Sequence, residues 1–186
     1  MAGSLPDFGW FTTWVDEQLA LCLSFVRPIG AADMLRVLGA DPEAIETRTL
    51  READDDPTVH RVLMGHRDGW RYTLEHLTVV GCDPESLQRL AGPGEAFALC
   101  YTQTISTFLY ARGGELVSGF DMDAPRIRYG SEPGKFDAEI ATAGFLDPEP
   151  PGAAAGARLV AMLFGIEMDQ QMLEGPLPSS VLPAPA

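Results

Sequence analysis

Apolar positions along the chain change spacing several times, and each change marks an element. Phe8–Leu19 sets Trp10, Trp14 and, further on, Leu21 near helical spacing, which predicts a short helix packing its tryptophans. Residues 20–27, ALCLSFVR, form a compact apolar run of strand character. Residues 30–41 return to helical spacing at Met34, Leu35 and Leu38, with Asp33 early and Gly39 as a stop. The polar stretch that follows, with its acidic run Glu52 to Asp56, reads as a solvated loop or helix end. HRVLMGH and WRYTLEHL then flank Asp68-Gly69, a pair that favours a type I′ turn and sets Arg67 opposite Trp70, His66 opposite Arg71 and Met64 opposite Thr73.

Asp83 and Pro84 begin a short helix over 83–90 as cap and first residue. Residues 95–103 read as a strand, and STFLYAR and ELVSGFD flank Gly113-Gly114 as a second hairpin. In this hairpin Leu109, Ala111, Leu116 and Phe120 are expected to point to one side, and Phe108, Tyr110 and Val117 to the other. A half-exposed strand alternates apolar with polar, whereas this hairpin is apolar on both faces. Either helices cover both sides of the sheet or one side awaits a partner; the first arrangement is favoured because large exposed apolar patches are rare on monomers. Helices are expected over 135–146, 157–166 and 167–177, the last capped by Asp169. The expected fold class is α+β: a single domain over 1–177, with an antiparallel sheet of five or six strands and helices packed on it. Residues 147–157 are expected to form an internal Pro/Gly/Ala-rich loop, and 178–186 a flexible tail.

Composition narrows the function classes. The 186 residues carry 27 acids against 13 Lys+Arg, a net charge of −14, and Lys135 is the single lysine. Such a surface repels phosphate backbones and anionic membranes, and it steers basic protein partners inward. No apolar run approaches the ~20 residues of a membrane-spanning helix, and MAGSLPDFGW lacks a basic-then-apolar leader. The expectation is a cytoplasmic protein whose Cys22, Cys82 and Cys100, odd in number and far apart, stay reduced and buried.

The familiar catalytic patterns are missing. His60, His66 and His76 are spread over a hairpin in which they do not share a face, so no metal site is expected. GxSxG, HExxH and phosphate-loop spacings are absent, Cys100 reads as an inert strand thiol, and no cofactor is implied. Glu75, Asp121 and Asp123 could line one end of a sheet as an acid–base pair, although chance proximity is expected among so many acids. The stretch RIRYGSEPGKF is the most suggestive. Arg126 and Arg128 would share a strand face, where two guanidiniums need an anion between them. That anion is either one of the protein's own carboxylates or a ligand, to which Tyr129 and Ser131 would add hydroxyls.

The order of motifs resembles a family of uncharacterised actinobacterial proteins, a domain of unknown function. The motifs are CLSFVRPIGAADMLRVLGAD, GWRYTLEHLTVVGCDPESLQRL, RYGSEPGKF and MDQQMLEGPL, spread over residues 10–177. The resemblance implies no activity, cofactor or catalytic residue. The function expected from these features is that of a non-enzymatic acidic binding module, an immunity, accessory or regulatory protein. It would hold a basic protein partner through an apolar sheet face (Phe108, Tyr110) or through the arginine loop (Arg126, Arg128, Tyr129, Ser131). The alternatives are a small-molecule site for an anionic ligand at that loop, sensing it or acting on it as a small enzyme, and homo-oligomerisation through the second hairpin.

Overall fold

Six consecutive buried residues, Leu21–Val26, run through strand β1 (Ala20–Arg27). Alternate side chains of a strand point to opposite faces, so both faces of β1 must be covered. A computed structural model describes residues 7–183 apart from Asp54, Pro57 and residues 148–151, and in it both faces are covered. Strand β1 sits between β4 (Trp70–His76) and β5 (Glu95–Thr102) in one nine-stranded sheet in which all pairings are antiparallel. The spatial order is β2-β9-β3-β4-β1-β5-β6-β7-β8, where β2 is Glu46–Arg48, β3 Arg61–Arg67, β6 Ser106–Arg112, β7 Glu115–Asp121, β8 Arg128–Tyr129 and β9 Leu177–Val181.

One face carries the aromatic side chains. Phe25, Trp70, Phe97, Phe108 and Phe120 pack there against helices α1 (Gly9–Asp16), α5 (Asp137–Thr142) and α6 (Gly152–Phe164). Phe164 stacks on Phe97 with ring centroids 4.0 Å apart. The other face is built from small residues, Ala96, Ala98 and Ala111, which admit helices α2 (Ala31–Leu38) and α4 (Pro84–Ala91) closely. Asp83 caps α4 by accepting the Ser86 amide, and Gly39 ends α2 with φ +84°, a conformation that favours glycine. Two one-turn helices, α3 (Leu50–Ala53) and α7 (Gln170–Glu174), complete the aromatic side, and Asp169 caps α7 through the Met172 amide.

Among the described residues the sheet has nine strands, not five or six. The expected six are present, and β2, β8 and β9 are additional. These three are short, and β9 contains Pro178, so none shows the alternation that marks a strand. Residues 178–181 are therefore not tail: Ser179 and Ser180 are buried between β2 and β3, and the Ser180 hydroxyl donates to the Asp41 carbonyl. Residues 184–186 of that stretch lie outside the described residues. The expected 147–157 loop is also shorter, because α6 begins at Gly152; its Ala153–Ala157 segment is buried against the sheet. Alanine's high helix propensity outweighs the Pro/Gly composition there; residues 148–151 lie outside the described residues. In the second hairpin the register shifts at Tyr110/Ala111, which makes Val117 an extra residue in β7. Phe120 consequently joins Phe108 and Tyr110 on the aromatic face, not Leu109 and Ala111.

Helix α6 approaches β5 at Gly156, where a Cβ would lie only 2.1 Å from the Tyr101 hydroxyl oxygen. Gly156→Ala should destabilise by about 1–3 kcal/mol through overpacking. On helix propensity alone the change would stabilise by up to about 1 kcal/mol. Adding Tyr101→Phe should recover part of the loss in urea titrations, and strictly additive effects would show that the two groups do not meet.

Candidate functional site

The arginine loop is largely satisfied from within. Arg128, in β8, pairs with Asp137 at the start of α5, and its Nε–H donates to the Pro125 carbonyl at 2.8 Å. The Tyr129 hydroxyl shares a 2.9 Å hydrogen bond with Thr107. The Ser131 amide donates to the Leu116 carbonyl at 3.1 Å. Arg126 precedes the two-residue strand in a turn closed by the Ile127 amide and the Ala124 carbonyl, so the two arginines do not form a clamp. Arg126 is exposed and makes no side-chain ion pair among the described residues.

Phe108 and Tyr110, expected at a partner surface, are buried under α5 and α6. The Tyr110 hydroxyl donates to Glu95, which is also paired with Arg27 at 2.8 Å, and Arg27 lies over the Trp70 ring. Burial, with the Glu95 hydrogen bond second, pushes the Tyr110 hydroxyl up to about 12.

The suggested carboxylate pair does not form. Glu75 on β4 and Asp121 on β7 stand four sheet positions apart, and Asp121 accepts the amides of Asp123 and Ala124 as a turn former. No group of three or more His, Cys, Asp or Glu among the described residues is placed to hold a metal ion.

A different convergence appears on the small-residue face. In the β4-β1-β5 register Glu75 lies opposite Cys22, and Cys22 lies opposite Cys100. The 3-10 turn Val80–Cys82 folds over them, and Cys22 and Cys82 are joined as a disulfide with Cα atoms 6.2 Å apart. These two cysteines are therefore not the free thiols expected; β1 and a turn 60 residues further along the chain become neighbours. Cys100 is free and buried, and burial pushes its thiol up to about 11. Beside them Glu75 is fully enclosed. Its Oε2 accepts the Val80 amide at 2.9 Å and its Oε1 accepts the Gly81 amide at 2.9 Å, while the Thr78 hydroxyl lies at 3.4 Å. The turn presses so closely that a Cβ on Gly81 would lie 2.3 Å from the Ser24 hydroxyl oxygen. Desolvation dominates over these donors and raises the carboxyl to about 7.

A second feature lies at one end of the sheet. Val79 follows β4, Leu19 precedes β1, Ile105 sits in the β5–β6 turn, and Ile127 follows β7. Hydrogen bonds tie these segments side by side: Leu77 to Ala20, Thr102 to Ile105, Met122 to Ser106 and Asp121 to Ile127. Leu19, Ile105 and Ile127 are 59%, 57% and 60% exposed. The same end holds a cleft of about 280 Å³ lined by Asp16, Gln18, Tyr101, Gln103 and Asp123, with Phe145 on its wall. Neither feature is marked in the sequence, because each depends on which strands become neighbours.

Unfolding releases Glu75 to titrate near its ordinary value of 4.5, so between about 4.5 and 7 the unfolded chain holds fewer protons than the folded one. The stability contributed by this group is full below about pH 4.5 and falls as pH rises through 7, by on the order of 3 kcal/mol. Glu75→Gln should flatten that part of the profile in urea midpoints measured from pH 4.5 to 8. An unchanged slope in the variant would show that Glu75 is not the titrating group.

No helix among the described residues is long and apolar enough to cross a membrane. Neither a curated protein nor a solved structure matches the chain. One family model does match, over residues 1–174, which agrees with the expectation of a domain family of unknown function. The chain belongs to DUF6461, a family of unknown function.

Proposed function

We propose that this is a non-enzymatic binding module that holds a basic protein partner at the sheet end carrying Val79, Leu19, Ile105 and Ile127. An immunity, accessory or regulatory protein would work in this way. The observation that carries the reading is the alignment of these exposed apolar side chains across successive strand ends, where burial on association has most to contribute. Exposed Asp16 and Asp123 line the cleft at the same end and exposed Glu17 lies two residues from Leu19, and the chain's net charge of −14 favours a cationic partner. The surface differs from the sheet face first expected, since Phe108 and Tyr110 are buried. An anion site at the arginine loop has less support, because Arg128 already has Asp137 and only Arg126 is left.

The test is affinity capture on immobilised protein, with wild type and two variants compared. Wild type should retain a basic protein whose association slows at least tenfold between about 0.05 and 0.5 M salt. Leu19→Glu combined with Ile105→Glu should weaken retention at least tenfold, whereas Arg112→Glu at the opposite end should not. Equal retention by the double variant would remove this surface. A saturable thermal shift with phosphate- or carboxylate-bearing small molecules, lost in Arg126→Ala, would instead favour the loop.

A further inference from the structure

Cys22 has two candidate partners. It is bonded to Cys82 on the 3-10 turn, and it lies directly opposite the free thiol of Cys100 on β5. Residues directly opposite in an antiparallel pair have Cα atoms about 4.5 or 5.5 Å apart, depending on the hydrogen-bonding position. Both spacings fall in the range a disulfide spans, roughly 4.4–6.8 Å. Directly opposite residues also share a face, and all three cysteines belong to the same buried cluster.

We infer that Cys22, Cys82 and Cys100 form a thiol–disulfide exchange centre in which the bond to Cys22 passes between Cys82 and Cys100. In the exchange, Cys100 loses its proton and its thiolate attacks the Cys22 sulfur. The Cys22–Cys82 bond breaks, and Cys82 leaves as a thiolate that takes up a proton. One disulfide and one thiol are present before and after, so no outside oxidant or reductant enters. The two isomers differ in what they tie down. Cys22–Cys82 links the turn to β1, whereas Cys22–Cys100 links two strands that are already paired. The second isomer leaves Val80–Cys82 held by the Glu75 hydrogen bonds and places a free thiol on the turn. In the closed fold Cys100 is enclosed, so exchange proceeds when the turn lifts. Thiolate access governs such reactions.

Two measurements on the full chain decide the matter. Wild-type protein is acid-quenched, denatured and alkylated without reduction, and peptide mapping by mass spectrometry then identifies the free cysteine. Both Cys100 and Cys82 should appear, the latter in at least a few per cent of molecules, and Cys100→Ser should abolish free Cys82. In Cys82→Ser, treatment with the oxidised form of a cyclic dithiol should link Cys22 to Cys100. Free Cys100 alone in wild type overturns the inference. So does a Cys82→Ser protein with a native circular dichroism spectrum that keeps both thiols. If Cys82→Ser does not fold, the wild-type map decides.

Discussion

The whole arrangement rests on burying both faces of β1 at once. A strand with six successive buried residues cannot face water on either side, and so it cannot occupy an edge or support a two-layer fold. It lies inside the sheet with a helical layer on each face, and the two layers use different means. The aromatic layer gains from large interdigitating rings, with Phe97 in contact with Phe25, Trp70 and Phe164. The opposite layer gains from close approach of α4 over alanines. The asymmetry is already present within β5, where Phe97, Leu99 and Tyr101 alternate with Ala96, Ala98 and Cys100.

On the alanine side the close approach leaves room for one carboxyl, and the protein places Glu75 there. Its enclosure costs solvation that two backbone amides only partly return. In exchange the carboxyl fixes the path of residues 78–82, where no long helix or strand does so. Leu77, with φ of +60°, is a further sign that this turn is held by its surroundings more than by its own preference. A carboxyl buried for the sake of a turn, next to a disulfide that fastens the same turn, ties residues 75–82 down from two sides.

Much of the local structure was legible in the sequence, because its determinants are local. Asp68-Gly69 dictated both turn and register, Asp83-Pro84 the start of α4, Gly39 the end of α2 and Asp169 the cap of α7. The doubly apolar hairpin correctly implied cover on both sides. What escaped was non-local. The bulge at Val117 has no compositional mark, so residue spacing alone puts Phe120 on the wrong face. Strands β2 and β9 pair only because residues about 130 apart in the chain meet. The Glu75–Cys22–Cys100 row exists only once β1 enters between β4 and β5, an insertion that spacing along the chain does not encode. The arginine stretch misled for a related reason: Asp137, which neutralises Arg128, lies nine residues away on the next helix.

The sheet's rims have a consequence for solubility. Its outermost members are β2 and β8, of three and two residues, and no long apolar strand is outermost. The outermost strands themselves offer few unpaired amides and carbonyls to recruit a strand from another molecule. A chain so rich in strand-forming apolar sequence is thereby guarded against edge-to-edge polymerisation, by two stubs that contribute almost nothing to its core.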